Sequence, residues 1–387
     1  MSRKETPPEA LDRSAEQSRS LEQLAPRFAT LYGEAQLEHD KTRELVSLAS
    51  LPPWPGCRSK AGHGWGEGLD KTLGGGVRPG YILAIGASSA GAGKTAFVMQ
   101  LADGLALRTE QLIREKKPGP LTPVLVASEM RPDELSWRSL ARWTSADTRI
   151  FDAGLSAAAL LAGDELDPNA EVENAFKKAK EALRGEFGAS RHFLRLFAKR
   201  SSGVELVKDL ANVCAQWKEQ LEKEHPDRAV WPVVVLDPIQ RFQGQGQEVE
   251  ALNTLVEELS STARAQGWVV FLTSDTNKPA ASGASNTKDK REEGAAAFRG
   301  SYKLQHLVDA ALYLTRPDDD PDRPELLAVL VKNRRGSSAK LHWPRYRWDV
   351  RRARFEPITQ ALSPVVPIDR APSTRKNQRK PDPMSEF

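Results

Sequence analysis

Cysteine is almost missing from this chain. Cys57 and Cys214 are the only two in 387 residues, and they lie far apart with no CxxC pair. That argues against a disulfide framework or a cysteine-built zinc site and points to a reducing compartment. Cys57 and His63 would need two further ligands to hold a metal, and the sequence around them offers none. Long apolar runs are also missing: no stretch reaches the roughly 18 residues a membrane helix requires. The opening "MSRKETPPEALDRS" has no apolar core of a secretory signal. The expected location is the cytoplasm, away from membranes. Net charge is small, +4 from 56 basic and 52 acidic residues, so only local charge could direct the chain to nucleic acid. Apolar residues make up 39%, low for a chain packed throughout, so part of it is expected outside the core.

What is present is an alternation of two patterns. Apolar strand-like runs occur at 81–86, 122–128, 192–198, 231–237, 268–274, 309–315 and 326–333. Several are continuous rather than alternating, as in strands covered on both faces. Helical periodicity lies between most of them: after Lys94, from Pro132, over 169–185, over 203–224 and over 249–266, the last ended by Gly267. In 203–224 the residues Val207, Leu210, Cys214, Trp217 and Leu221 share one face. The pattern predicts an α/β domain, a mostly parallel twisted sheet with helices on both faces. Around it, residues 1–14 read as disordered and 15–51 as a helical extension with an apolar stripe from Leu21 to Tyr32. Residues 52–65 read as a Pro/Gly linker, 66–360 as the main domain and 361–387 as a disordered basic tail.

The most informative stretch is "IGASSAGAGKT", at the end of the first strand. Small residues let main-chain N–H groups close on a phosphate, and the helix that follows favours negative charge at its start. A lysine then reaches the outer phosphates and the adjacent hydroxyl takes Mg²⁺. Ser89, Ala90, Gly91, Ala92, Gly93, Lys94, Thr95 and Ala96 form this candidate ATP site. The strict G-x-x-x-x-G-K-[ST] spacing has Ser88 where glycine is usual, with Gly86 two residues earlier. Two carboxylates extend the constellation. Asp237 ends the run "WPVVVLD", at the sheet edge where ligands of such folds bind, and is the second candidate on the Mg²⁺ side. Glu129 follows "VLVAS" and is the candidate for activating water. The plainer alternatives are a turn-starting Asp and a solvated helix-entry Glu.

Together these segments resemble the RecA-like ATPase superfamily, and within it the C-terminal motor domain of DnaB-type replicative helicases, over roughly residues 66–356. "LDKTLGGGVRPGYILAIGASSAGAGKTAFVMQLA" resembles the family's entry into its phosphate loop, and "SEMRPDELSWRSL" its S-L-E-M segment and following helix. "VVVLDPIQRF" resembles its I-D-Y-L-Q, and "LLAVLVKNRRGSSAKLHW" its A-K-N-R-N-G-P-T-G strand and turn. The resemblance implies Glu129 as catalytic glutamate, Arg138 as the helix arginine, Asp237 in the Walker B role and Gln240 as sensing glutamine. It implies Lys332 and Arg334 as cations that reach a neighbouring subunit's site. A Lys-x-Arg at a strand end does put both side chains on one face. It further implies ATP and Mg²⁺ as cofactors, a homo-oligomeric, usually hexameric ring, and single-stranded DNA in its channel. The loading or replication partner is unspecified. The sequence departs from the family at Pro238, at Arg241 where a hydrophobic residue is usual, and at Asp275 where glutamine is usual. Only residues 1–65 precede the matching region, which fits an accessory or mobile-element relative.

Nucleic acid would meet the channel loops 241–248 and 277–301. The second is long, and carries Lys278, Lys288, Lys290, Arg291 and Arg299, basic side chains suited to tracking phosphates without reading sequence. Its acids Asp289, Glu292 and Glu293 leave a neutral surface loop as the alternative. "RYRWDVRRARF" (345–355) is open between a stacking surface for nucleic acid and an edge hairpin with one face packed. Three functions stay open at this point: a ring-forming DNA translocase or helicase, a RecA-like ATPase that assembles on DNA or a protein partner without unwinding, and a nucleotide-dependent scaffold with weak or no turnover, which the changes at Pro238 and Asp275 allow.

Overall fold

The computed structural model describes residues 69, 73, 77–87, 91–152, 168–197, 201–245, 248–275, 302–316, 324–334 and 343–358. The helical extension, the linker, Ser89, Ala90, the basic loop with Lys278 to Arg299 and the C-terminal tail lie outside them.

Among the described residues the strands are β1 (Ile82–Ala87), β2 (Val124–Ser128), β3 (Leu194–Leu196), β4 (Val233–Asp237), β5 (Val269–Thr273), β6 (Ala310–Thr315), β7 (Glu325–Asn333), β8 (Arg345–Asp349) and β9 (Arg354–Pro357). They form one sheet in the order β3-β2-β4-β5-β1-β6-β7-β8-β9. All pairings from β3 to β6 are parallel, and β6-β7, β7-β8 and β8-β9 are antiparallel. The helices are α1 (Lys94–Arg114), α2 (Pro132–Thr144), α3 (Thr148–Asp152), α4 (Pro168–Arg184), α5 (Glu186–Ser190), α6 (Gly203–Glu224), α7 (Glu248–Gln266) and α8 (Tyr302–Leu307).

The continuous apolar runs are buried on both faces, for the reason the pattern suggested. Successive side chains point to opposite sides of a strand. Leu83 and Ile85 of β1, Val233 and Val235 of β4, and Val269 and Phe271 of β5 join one core with α1. Their neighbours Ile82, Ala84, Val234, Leu236, Val270 and Leu272 join a second core under α6, α7 and α8. Leu69 and Leu73 are buried in the first core. The predicted face of 203–224 is the buried one: Val207, Leu210, Cys214, Trp217 and Leu221 are all at 3% exposure or less. A satellite core joins α2 to α5 through Leu140, Ile150, Val172, Ala179 and Phe187.

Strand starts move inward from the sequence expectation where proline intervenes. Pro123 and Pro232 have no N–H to give the ladder, so β2 and β4 begin just after them, two residues later than the runs suggested. The run 192–198 yields only three strand residues, because Arg191–Phe193 closes as a 3-10 turn that draws Arg191 onto Asp103.

The segment "RYRWDVRRARF" is an edge hairpin, β8 and β9, with its aromatic side inward. Tyr346, Trp348 and Phe355 are buried, while Arg345 and Arg347 face solvent. This corrects the stacking alternative, since the rings are spent on packing. Phe97 of α1 meets Tyr346 and Phe355 edge-on at 5.7 and 5.1 Å.

Candidate nucleotide site

Four neighbouring strands deliver the site at their carboxyl ends, which is where parallel sheets bind ligands. β1 leads to Gly91–Thr95, β2 to Glu129, β4 to Asp237 and β5 to Thr273 and Asp275. Between them opens a cleft of about 440 Å³ lined by Gly91–Ala96, Glu129, Arg138 and Asp237, with Val350 and Ala353 from the hairpin turn on the far wall. That size suits a nucleotide-scale ligand.

Gly91 and Gly93 have φ of +78° and +84°, a region L side chains rarely adopt, so the loop's peptide units turn as only glycine readily allows. Gly93 is the N-cap of α1 and supplies no side-chain cap, and no acidic residue occupies the first turn. The helix start is thus left for an external anion. A Cβ on Gly93 would sit 2.9 Å from Phe355 and 3.0 Å from Trp348, so the hairpin rests directly on the loop. Trp348 is buried there, and its indole Nε1 has no hydrogen-bond partner among the described residues.

Asp237 is the hub of three hydroxyl contacts on one side of the cleft. Its Oδ1 accepts from Thr95 Oγ1 at 3.1 Å and Thr273 Oγ1 at 2.6 Å, and its Oδ2 accepts from Ser128 Oγ at 2.9 Å. Burial pushes its carboxyl above the usual range, and the three hydroxyls of Thr273, Ser128 and Thr95 work against that push. A hydroxyl and a carboxylate brought together at a phosphate-sized cleft form an all-oxygen donor set, which fits Mg²⁺. Ser128 and Thr273 escaped the sequence reading. Their signal was a hydroxyl ending an otherwise apolar run, and only the register Ser128↔Asp237 gives it meaning.

Glu129 is fixed at its main chain, where its N–H donates to the Asp237 carbonyl at 2.9 Å. Its carboxylate is held by Arg241, Nε to Oε2 at 2.6 Å. Lys94 is likewise paired, with Asp275 at 3.1 Å. Gln240 clamps the end of β5: its Nε2 donates to Ser274 Oγ at 2.8 Å, and its Oε1 accepts from the Asp275 N–H at 3.0 Å. Arg138 lines the cleft and donates to Met130 Sδ at 3.3 Å.

Lys332 and Arg334 are not brought to this cleft. In register, Ala87 at the end of β1 lies across from Leu314, and Leu314 from Ala328, whereas Lys332 pairs with Ala311 at the other edge of the sheet. The separation along β7 is roughly 13 Å of strand rise. Both side chains donate to one acceptor, the His306 carbonyl, Lys332 at 3.0 Å. Burial, then the Arg334 charge, pulls Lys332 down to about 8. Cys214 has no part in the site; burial pushes its thiol up to about 12.

A family profile described as an AAA domain matches residues 70–281. No curated protein matches. Among solved structures, the chain is similar to one described as an ATPase domain, at 15% identity and TM-score 0.52, covering 80% of this chain and 93% of that one. It is similar as well to a DnaB-like replicative helicase described with its interactions with primase, at 14% identity and TM-score 0.52. That match covers 80% of this chain and 63% of the helicase, less than two thirds of its length. At such identities the likeness is one of fold, and the fold is RecA-like.

Proposed function

The chain belongs to the AAA domain family, and from that premise we propose that it is an ATP hydrolase whose motor domain spans residues 66–360. We read it as a ring-forming single-stranded DNA translocase or helicase of an accessory or mobile-element pathway. The observation that carries the hydrolytic reading is the cluster at Asp237, where the phosphate-loop hydroxyl of Thr95 meets the Walker-type carboxylate at 3.1 Å, with Glu129 directly after the neighbouring strand.

In this reading the Gly91–Thr95 main chain holds the triphosphate, and Lys94 leaves Asp275 for the terminal phosphate. Thr95 and Asp237 would hold Mg²⁺, which when bound offsets charge on the β- and γ-phosphates. Glu129 orients water and takes its proton as it attacks the γ-phosphorus. Gln240 links the turn after β4 to the end of β5 through Ser274 and Asp275. Lys332 and Arg334, at the opposite sheet edge, would serve a neighbouring copy's γ-phosphate, which requires the sites to lie at subunit boundaries. Strand contacts would come from the loops after β4 and β5, the second with Lys278, Lys288, Lys290, Arg291 and Arg299.

The test is steady-state ATP hydrolysis by the wild type and Glu129→Gln, with and without single-stranded DNA, beside unwinding of a forked duplex. The variant is expected to bind nucleotide and turn over about 10²–10⁴-fold more slowly. Equal rates would refute the role of Glu129. DNA-dependent hydrolysis without strand displacement would favour a RecA-like assembly ATPase instead.

A further inference from the structure

The two side chains assigned above to the γ-phosphate and its water are each held by an opposite charge. Lys94 is on Asp275 and Glu129 is on Arg241. An incoming triphosphate relieves the first pair, because it offers Lys94 a denser anion. It leaves the second in place, because Lys94 lines the cleft and Arg241 does not.

We propose that Arg241 is a positioning residue that keeps Glu129 from its water, and that a phosphate of bound single-stranded DNA takes the guanidinium and frees the glutamate. The inference rests on the hydrolytic role of Glu129 given above.

Three features of the site support it. Arg241 sits on the 3-10 turn Ile239–Phe242, which joins the Asp237 strand to the loop through Gln243, Gly244 and Gln245. One end of that connection is the metal-side carboxylate and the other is a loop already a candidate for strand contact. Gln240 is fastened to Ser274 and Asp275, so the Arg241 side chain can change partner without dragging Asp237. Finally, the pair is open to solvent, with Arg241 side chain 66% and Glu129 44% exposed. Exposed pairs are weak and yield readily to a competing anion, and a phosphodiester can engage the guanidinium in the same two-point fashion as a carboxylate. The arginine stands where the resembled family carries a hydrophobic residue, so the pair is a feature of this chain.

The experiment compares full-length wild type, Arg241→Gln and Arg241→Lys in steady-state ATP hydrolysis, with oligo(dT) as the DNA probe. Without DNA, Arg241→Gln is expected to raise kcat about 2–5-fold over wild type, the scale of one exposed ion pair, with KM for ATP unchanged. Added oligo(dT) should then give it little further stimulation, while Arg241→Lys keeps most of the wild-type response. Added salt should raise the DNA-free rate of the wild type more than that of Arg241→Gln, because salt screens the pair. A merely structural arginine would lower kcat or stability and leave the fold-stimulation intact. If the wild type responds to oligo(dT) and Arg241→Gln has the same or a lower DNA-free rate, the inference is overturned and the hydrolytic reading stands. The same holds if the wild type hydrolyses ATP with no response to oligo(dT). If the wild type hydrolyses no ATP at all, the proposed function is what fails.

Discussion

The side-chain amide of Gln100 exchanges two hydrogen bonds with the main chain of Phe355, donating from Nε2 to the carbonyl at 2.9 Å and accepting the N–H on Oε1 at 2.8 Å. Gln100 is on the helix that begins at the phosphate-loop lysine, and Phe355 is on the last strand of the sheet. Stacked on Trp348 at 4.4 Å, Phe355 rests on Gly93. One buried amide therefore ties the hairpin that walls the cleft to the helix that starts at Lys94. Gln100→Leu keeps the volume but strands both Phe355 groups in the core. A loss of about 2–4 kcal/mol is expected in urea melts. Fluorescent-nucleotide titration should show weaker binding as the wall loosens. Unchanged affinity in a folded variant would show that the hairpin plays no part in binding.

A second tie is ionic. Asp103 is fully buried between Arg142 at 2.7 Å and Arg191 at 2.8 Å, and Arg142 also donates to the Ala353 carbonyl in the hairpin turn at 2.6 Å. Burial alone would push Asp103 up, but the two arginines outweigh it and hold the carboxyl below its usual range. Asp103→Asn is expected to cost about 3–5 kcal/mol near neutrality, because it removes the carboxylate charge that two buried guanidinium groups share. The sign with pH follows from the lowered value. The contribution of Asp103 is fully present above the unfolded carboxyl value of about 3.9. It is lost as pH falls below that, through the folded value. Equilibrium unfolding of both proteins across this range should show the gap closing in acid. A gap independent of pH would assign the cost to packing.

Lys332 supplies a pH dependence at the other end of the scale. Its amine sits at about 8, so its positive charge falls away as pH rises through that value. If Lys332 and Arg334 complete a neighbour's site, turnover of the assembly should decline on the alkaline side near pH 8. Lys332→Arg should hold the rate flat there, since guanidinium stays charged. Arg334→Ala should lower the rate and also move the decline upward, because the Arg334 charge is one of the causes of the depression. pH–rate profiles of the three proteins, at concentrations that favour assembly, decide the matter. An identical alkaline limb in Lys332→Arg would remove Lys332 from the reaction.

Much of this architecture was legible along the chain. "YILAIG" running into "AGAGKT" gives an apolar strand, a turn that glycine alone tolerates and a helix start, all from neighbouring residues. The near-continuous runs at 231–237 and 268–274 signalled strands buried on both faces, and they are. The face of 203–224 followed from spacing. These features are local, fixed by side-chain period and backbone sterics within a few residues.

The remainder lay beyond local pattern. Nothing in "VLVAS" or "WVVFLTS" says that Ser128 and Thr273 share the oxygens of Asp237, since strand register decides that. "RYRWDVRRARF" could stack on a nucleic acid or pack on its own core until the sheet order laid it beside Phe97 and Gly93. Arg241 and Glu129 are 112 residues apart, and only the adjacency of β2 and β4 makes them partners. By itself the sequence determined which segments become strands, helices and a glycine-rich turn, because those follow from short-range sterics and burial. The tertiary structure alone decided which charges face one another across the cleft, because the chain crosses over between neighbouring strands and sets those distances through contacts remote in sequence.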